Sequence, residues 1–462
     1  MYTCIVQINT VSSYLKSVIY SVPNTFLARM PISTKLTKAL GISHPLIQGG
    51  MHYVGYAPLV AAVSNAGAIG CITALTQPTP EALQKEIRAC KALTKKPFGV
   101  NLTLLPMLQP PNYEAFAQVV EDEMASGQLR MIETAGHFKG LAPFVKQFKD
   151  AGAFVIHKCV TVRHAKSAEK LGVDMISMDG FDCAGHPGEA DIGNWVLFAK
   201  AARELKIPFV ASGGCADGKQ LAAAIAMGAE GMNMGTRFMA TVEAPIHDNI
   251  KQALVDADEH STTLVMRSMK NTERAYKNKA ALKVLEIEKE HPGDFSKIAH
   301  IVRGDSYRRA FQETGDIEEG VWSAGTVMGL IDSVVTCQEL CDNIVDEAEE
   351  VITRRLASSV TTVSDDKDQA NDTPKITPHY LLQYTYTDNV LEKRVPFRQE
   401  HLQVAGSFKA KGKLVMGGAL GDLTGATVIF RTREDAEEFV SEDPYVKNGI
   451  VTKYEVREWS VV

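Results

Sequence analysis

A repeated unit in the first two thirds of this chain constrains its fold more than any other feature. From residue 44 onward, a short apolar strand, a turn with Gly or Asn and an amphipathic helix recur. The strands lack polar alternation, which is typical of parallel strands buried on both faces. Eight strands are predicted, at 46–48, 68–72, 98–102, 131–133, 154–157, 175–178, 209–211 and 231–234. Eight such units favour a closed (β/α)8 TIM barrel over an open doubly wound sheet.

Further along the chain the repeat stops, and the composition changes twice. Residues from about 245 to 320 are charged and have a helical pattern, which predicts a helical insertion after the eighth strand. A helix over 328–356 is then expected to close the barrel. Residues 357–376 are polar and acidic without hydrophobic periodicity, which indicates a linker. The predicted organisation is an extension at 1–30, a barrel at 31–356, this linker, and a domain at 377–462.

The last domain has a different pattern from the barrel. An alternating stretch from His379 predicts a strand, residues 390–408 are helical, and strands follow at 414–420 and 426–432. A helix over 433–439 and a final strand from Tyr454 complete it. This order predicts a small α+β domain of ferredoxin-like type.

Charge and cysteine content exclude several classes of protein. The formal net charge of -6 argues against nucleic-acid binding, which normally needs a basic surface. Apolar runs stay below the roughly 18 residues that span a bilayer, so no membrane association is expected. The 8 cysteines are scattered without a CxxC pair, which predicts no metal site and favours a reducing, cytoplasmic location. Residues 1–29 contain no acidic residue, so a mitochondrial leader remains the alternative.

Polar and glycine-rich residues follow the predicted strands, where barrel enzymes build their active sites. Asn101 lies at the end of the third strand, Lys158 and Asp179 follow the fifth and sixth, and His186 lies in the next loop. The other strand ends carry QGGM at 48–51, SGG at 212–214 and GT at 235–236. Paired small residues after strands seven and eight suit a phosphate, since bare N–H groups can approach it closely.

Each of these signals also has a plainer interpretation. A glycine pair is often only a tight turn, a lysine can be a solvated charge at the rim, and a lone histidine is often structural. Their coincidence on one rim of the barrel favours a site for a phosphate-bearing cofactor. At that rim, the imidazole of His186 can act as a base or a hydrogen-bond donor near neutral pH.

Six stretches of the chain together resemble the nitronate monooxygenases, formerly called 2-nitropropane dioxygenases. They are QGGM at 48–51, GVNLT at 99–103, HKCVTVRHA at 157–165, MDGFDCAGHPGE at 178–189, ASGGCADG at 211–218 and MNMGTRFMAT at 232–241. The resemblance covers roughly 31–356. It implies an FMN-dependent barrel enzyme that oxidises a small nitronate with O2, yielding a carbonyl compound and nitrite.

The resemblance also implies roles for individual residues. His186 matches the catalytic histidine of the family. The positions that match the FMN-contacting residues are Gly50, Met51, Asn101, Lys158, Asp179, Gly185, Gly213, Gly214, Gly235 and Thr236. Two positions depart from the pattern: Ala184 stands where many relatives have glycine, and Thr326 where relatives often have glutamine.

Other functions of the same barrel stay open. The glycine-rich loop with its histidine is also similar to FMN-dependent enoyl-acyl-carrier-protein reductases and NAD(P)H:quinone reductases. A barrel that binds FMN only as a binding or sensing module is the non-enzymatic alternative.

The domain from about His379 resembles the YciI-like, or YCII-related, domain. The matching stretches are LEKRVPFRQEHL at 391–402, LVMGGAL at 414–420, GATVIF at 425–430 and DPYVKNG at 443–449. The resemblance implies a ferredoxin-like fold, a tendency to form homodimers and a His–Asp site. His401 matches the histidine, and Asp422 is the acid suggested by position. Solvated side chains without a catalytic role remain the plainer interpretation of this pair.

Overall fold

The structure is a computed structural model that describes residues 32–104, 110–136, 140–360 and 377–461. The predicted N-terminal leader and residues 361–376 of the predicted linker lie outside the described residues. The chain divides into two compact units between residues 361 and 362.

Eight parallel strands close into a barrel in the first unit, with β8 paired to β1, which confirms the predicted fold. The strands are β1 (Leu46–Gln48), β2 (Ile69–Thr73), β3 (Phe98–Leu104), β4 (Leu129–Gly136), β5 (Phe154–Cys159), β6 (Met175–Asp179), β7 (Phe209–Ser212) and β8 (Met232–Met234). Each overlaps one predicted strand. Their residues are almost all buried, as expected for strands covered by helices outside and side chains inside.

Helices precede and follow these strands around the barrel. They are α1 (Lys35–Leu40), α2 (Ala57–Asn65), α3 (Pro80–Leu93), α4 (Tyr113–Met124), α5 (Leu141–Asp150), α6 (Val162–Lys170), α7 (Asn194–Glu204), α8 (Gly218–Ala226) and the short α9 (Thr236–Met239). Side-chain caps begin several of them: Thr79 before α3, Thr161 before α6 and Asp217 before α8. These caps satisfy N–H groups that have no partner within the helix.

The barrel interior is apolar at one end and charged at the other. Ile47, Met131 and Val210 form a buried cluster with Leu36 and Leu40 of α1. Further along the same strands, Glu133, Lys158, Asp179 and Asn233 occupy the carboxyl ends. This polarity places the chemistry at the mouth formed by the carboxyl ends, as in other TIM barrels.

The insertion after β8 differs from the helical prediction. Part of it is an antiparallel ribbon of β9 (Thr262–Val265) and β10 (Glu273–Tyr276). Helix α10 (Asp248–Val255) precedes the ribbon, and α11 (Lys279–Glu290), α12 (Phe295–Val302) and α13 (Gly304–Arg309) follow it. Met266 and Lys270 adopt positive φ angles of 59° and 52° in the connecting turn, which a helix does not allow. The ribbon forms because Tyr276 donates its N–H to the carbonyl of Trp322, and Gly185 pairs with Arg274.

The predicted helix over 328–356 begins later than expected. Thr326–Leu330 is a 3-10 turn, and the α-helix α14 spans Cys337–Glu350 before a π-helical turn over Val351–Leu356. Thr336 and Glu339 form a capping box that defines the start of α14. Val335, just before it, bridges to Thr241 and is held in an extended conformation.

The second unit is a four-stranded antiparallel sheet with helices, consistent with the predicted ferredoxin-like fold. Its strands are β11 (Thr377–Tyr386), β12 (Leu414–Ala419), β13 (Gly425–Phe430) and β14 (Val451–Val461), in the order β12-β13-β11-β14. Its helices are α15 (Val390–Lys393), α16 (Arg398–Ala410), α17 (Arg433–Glu442) and α18 (Pro444–Lys447). Phe408, Phe430 and Phe439 meet in its core. The predicted single helix over 390–408 is interrupted at Pro396, in a 3-10 turn.

Across the described ranges, the longest and most apolar helices fall short of what is needed to cross a bilayer.

Candidate active site at the barrel mouth

A cavity of about 200 Å³ opens at the carboxyl ends of the barrel strands. Nine of the ten predicted cofactor-binding residues line it: Gly50, Met51, Lys158, Asp179, Gly185, Gly213, Gly214, Gly235 and Thr236. The tenth, Asn101, lies behind Gly50, where an added Cβ atom would come within 2.2 Å of the Asn101 side chain. The fold therefore brings all ten together. That they bind a cofactor stays a prediction.

Lys158 lies between two carboxylates at this cavity. Its Nζ is 3.7 Å from Oδ2 of Asp179 and 4.0 Å from Oε1 of Glu133. Burial alone would lower the pKa of Lys158, but the two carboxylates outweigh burial and raise the pKa above its ordinary value. Lys158 is therefore a cation at neutral pH, with 22% of its side chain exposed toward the cavity mouth.

The pKa of Asp179 is raised as well. Burial raises its pKa, while the Lys158 cation and hydrogen bonds from Ser177 and Ser212 act to lower it. The Ser177 hydroxyl donates to Oδ1 of Asp179 at 3.0 Å. The carboxylate of Asp179 is thus held in place, with Oδ1 bound to Ser177 and Oδ2 facing Lys158.

Glu133 is a functional candidate that the sequence analysis did not single out. Its side chain is fully buried, and Oε1 accepts hydrogen bonds from the N–H of Gly50 at 2.9 Å and the amide of Asn101 at 2.8 Å. Oε2 accepts from the amide of Asn233 at 2.7 Å. A carboxylate inside a strand buried on both faces was the available signal, because such a charge requires specific partners.

Glycine turns after β7 and β8 form the opposite wall of the cavity. Gly213 and Gly214 have φ angles of +84° and +69°, and a Cβ on either would meet Cys183 or Asp182 at 2.9 to 3.0 Å. Only glycine adopts this backbone at that spacing without strain. Among the hydrogen bonds between described residues, none has the backbone N–H of Gly214, Gly235 or Thr236 as its donor. These N–H groups suit the phosphate of a cofactor such as FMN.

His186 lies one residue beyond the cavity lining. Gly185 lines the cavity, and the side chain of His186 is exposed. The loop is anchored to the ribbon, since Gly185 and Arg274 exchange backbone hydrogen bonds of 3.0 and 2.6 Å. The Arg274 guanidinium also stacks on the Phe181 ring at 4.7 Å and donates to the Phe181 carbonyl. A catalytic role for His186 stays a prediction.

The two departures from the family pattern lie on either side of this loop. Ala184 lines the cavity. The N–H and hydroxyl of Thr326 lie 3.3 and 3.4 Å from the Asp182 carbonyl, while its neighbours Gly325 and Val327 line the cavity. The short Thr326 side chain is thus directed to the loop backbone.

Aromatic side chains from distant segments complete the mouth. Tyr307 and Phe311, from α13 and the turn after it, line the cavity together with His52. The Tyr307 hydroxyl hydrogen-bonds to Nδ1 of His52, and burial raises the pKa of Tyr307. No pattern in the sequence identifies these residues, because 255 positions separate His52 from Tyr307.

The second unit contains a His–Asp pair, but with a different acid from the one expected. Nδ1 of His401 lies 2.7 Å from Oδ1 of Asp443, which is fully buried. Asp422 is exposed and instead accepts hydrogen bonds from the N–H and hydroxyl of Thr424. The expected pairing of His401 with Asp422 is therefore wrong. Asp422 belongs to the β12–β13 turn, where it makes a local turn contact.

Within the described part of the chain, no group of three or more His, Cys, Asp or Glu side chains could hold a metal ion. The cysteines in that part are free and buried: Cys71, Cys90, Cys159, Cys183, Cys215, Cys337 and Cys341.

Comparisons with known proteins agree with this geometry. A 31% identical stretch of 267 residues matches a probable nitronate monooxygenase of Staphylococcus haemolyticus, covering 50% of this chain and 74% of that protein. A (3aS,4S,5R,7aS)-5-hydroxy-7a-methyl-1-oxo-octahydro-1H-indene-4-carboxyl-CoA dehydrogenase of Rhodococcus jostii is 29% identical over 354 residues, covering 69% of this chain and 96% of that protein. The solved structure of FabK from Thermotoga maritima is 31% identical with a TM-score of 0.64, covering 71% of this chain and 100% of FabK.

Two family models match successive parts of the sequence. The nitronate monooxygenase model covers residues 33–347, which is the barrel with its insertion, and the YCII-related domain model covers residues 379–460. Both matches confirm the resemblances drawn from the sequence motifs. The chain belongs to the nitronate monooxygenase family and carries a YCII-related domain at residues 379–460.

Proposed function

We propose that this protein is an FMN-dependent nitronate monooxygenase. It would convert an alkyl nitronate, such as propionate 3-nitronate, and O2 into a carbonyl compound and nitrite. The observation that carries the proposal is the combination of unused backbone N–H groups after β7 and β8 with the Lys158 cation at the same cavity. Family membership supports the same reaction class.

The cavity suits FMN in two respects: its glycine turns leave backbone N–H groups open, and Lys158 supplies a cation. Gly213, Gly214, Gly235 and Thr236 would hold its phosphate through backbone N–H groups. Bound FMN would supply the redox chemistry, accepting electrons from the nitronate and passing them to O2. Lys158 would place a fixed positive charge where negative charge develops, and Glu133 with Asp179 would hold that cation in position.

His186 would act on the substrate rather than on the cofactor. An imidazole at the rim can bind the anionic nitro group, or remove the α-proton when a neutral nitroalkane enters. Its exposed position and the glycines around it leave room for a substrate beside the ring.

Anaerobic mixing tests the proposal directly. The purified, FMN-loaded protein is mixed with propionate 3-nitronate in one experiment and with NADH or NADPH in others, and flavin absorbance is followed. We expect the nitronate to bleach the flavin and nitrite to appear when O2 is admitted. Rapid bleaching by a nicotinamide alone would favour a reductase. FMN binding without reduction by any of the three would favour a binding module.

A His186→Asn variant tests the role of the imidazole. Reaction with a neutral nitroalkane should slow by roughly 10²-fold or more, the usual effect of removing a positioned base. Reaction with a preformed nitronate should slow less, because its α-proton is already gone. Equal slowing with both substrates would mean that His186 does not act as the base.

An FMN-dependent NAD(P)H reductase, of the quinone or enoyl-acyl-carrier-protein type, is the second candidate. One observation favours it: the match to the FabK structure, an enoyl reductase, covers 100% of that chain at 31% identity. The mixing experiment above separates the two candidates, since only a reductase is bleached by a nicotinamide.

We also propose a homodimer formed through the second unit. Leu391, Val395 and Leu420 are 45 to 68% exposed there, and exposed apolar surface can mark an interface. The free, buried cysteines of the barrel are compatible with a cytoplasmic location, with a mitochondrial one as the alternative. The proposed partners are otherwise a small-molecule substrate and O2.

A further inference from the structure

We propose that the second unit binds a small organic acid in a pocket of its own, through Arg394, Arg398 and His401. The pocket has a volume of about 520 Å³ and is lined by α16 and strands β11, β12 and β13. The proposal is independent of the function of the barrel, because each lining residue belongs to the second unit.

The charge of the lining selects for an anion. Arg394, Arg398 and Lys409 line the pocket, and no Asp or Glu is among its lining residues. None of these three cations forms an ion pair or side-chain hydrogen bond with another residue that the structure describes. A guanidinium presents paired donors that match a carboxylate geometrically, so these arginines can bind an anionic ligand.

His401 is oriented so that one ring nitrogen remains for a ligand. Nδ1 donates to Asp443, and the ring stacks on Tyr445 with centroids 4.0 Å apart and planes inclined by 6°. Asp443 also accepts the Tyr384 hydroxyl at 2.9 Å and the Tyr445 N–H at 2.9 Å. His401 lines the pocket, and Nε2 makes no hydrogen bond to another residue that the structure describes, so Nε2 is the ring nitrogen available to a ligand.

The remaining lining defines the rest of the ligand. Tyr386, Leu402, Met416 and Phe439 contribute aromatic and aliphatic surface. Gly417 and Gly418 of β12 have no side chains to fill the space. A lining that combines cations with apolar groups suits a molecule with a carboxylate and an apolar body. An inorganic anion would use only the cationic part.

Calorimetric titration of the full-length, FMN-loaded protein tests the proposal, with benzoate as the probe. Benzyl alcohol is its neutral counterpart, and inorganic phosphate is the anion without an apolar body. We expect saturable binding of benzoate. Both other probes should bind at least about tenfold more weakly, because benzyl alcohol lacks the carboxylate and phosphate lacks the apolar body. Phosphate binding as tight as benzoate would overturn the organic-acid assignment, as would the absence of saturable benzoate binding.

Variants assign the binding to this pocket. The double variant Arg394→Gln/Arg398→Gln should weaken benzoate at least about tenfold, because it removes two charge-assisted hydrogen bonds. Arg457→Gln is the matched control, since Arg457 is exposed on β14 outside the lining. Flavin absorbance and the melting temperature verify folding of each variant. Unchanged benzoate affinity in a folded double variant would overturn the proposal.

Discussion

The charges at the barrel mouth depend on one buried carboxylate. Glu133 accepts three hydrogen bonds and lies 4.0 Å from Lys158, so it orients the Gly50 turn and both asparagine amides while it balances the cation. Removing Glu133 or one of its partners would leave a buried group without its partner and lower the free energy of unfolding. Glu133 acts through its neighbours and is therefore a positioning residue.

A Glu133→Gln variant should weaken this arrangement. The new amide would face the Asn233 amide donor, which leaves one buried polar group without an acceptor and costs about 1–3 kcal/mol of unfolding free energy. FMN affinity should fall and the flavin reduction potential should shift, because the charge near Lys158 changes. Urea unfolding, FMN titration and potentiometry measure these effects. Glu290→Gln, an exposed change at the end of α11, is the control. An unaltered potential would contradict the assigned role.

The buried imidazole of His157 makes the stability of the folded protein depend on pH. Burial lowers the pKa of His157 from 6.5 to about 4. As the pH falls, His157 therefore gains its proton near pH 6.5 in the unfolded chain but only near pH 4 in the folded protein. The neutral imidazole thus contributes stability that is complete above pH 6.5 and is lost as the pH falls toward 4. The loss amounts to about 3 kcal/mol.

Urea unfolding between pH 7 and pH 4 measures this effect. A His157→Gln variant should show a smaller decline in unfolding free energy over that interval than the unaltered protein. Exposed His300 offers the control: His300→Gln should decline as the unaltered protein does. Parallel curves for the protein and its His157→Gln variant would exclude His157 as the source.

Among the structural elements, the turn between β7 and α8 carries the strictest backbone requirement. Gly213 has a φ of +84°, and a Cβ there would lie 2.9 Å from the Cys183 Cβ and backbone N. Gly127, after α4, has a similar φ of +75° with open space around it. A residue with a side chain would therefore be strained by the positive φ at either position, but only at position 213 would its Cβ meet neighbouring atoms.

Substituting alanine at both positions separates these effects. Gly213→Ala and Gly127→Ala should each lose about 1–2 kcal/mol from the left-handed backbone. Only Gly213→Ala should also weaken FMN binding, by at least about tenfold, since its turn must shift away from the cofactor. FMN titration and urea unfolding distinguish the outcomes. Equal FMN affinity in the two variants would remove this turn from the cofactor site.

For the molecule as a whole, the two compact units have separate cores, one around the barrel and one around Phe408, Phe430 and Phe439. A chain that ends at Ser358 should therefore keep its flavin and its turnover. Its mass in solution should correspond to a monomer if the second unit forms the dimer, as size-exclusion chromatography with light scattering would show. Loss of turnover in a folded, flavin-bound truncated protein would instead mean that the second unit contributes to the barrel site.

Local patterns in the sequence were sufficient to predict the eight strands and the glycine turns. Hydrophobic runs, caps and Gly pairs act over a few residues, and the order of the βα units leads to one closed barrel. The partners of each side chain were not predictable in this way. Tyr307 reaches His52, and Asp443 rather than Asp422 reaches His401, because contacts between residues far apart in sequence depend on how the elements pack. The ribbon of the insertion likewise forms through pairing with Gly185 and Trp322, which overrides the helical pattern of its sequence.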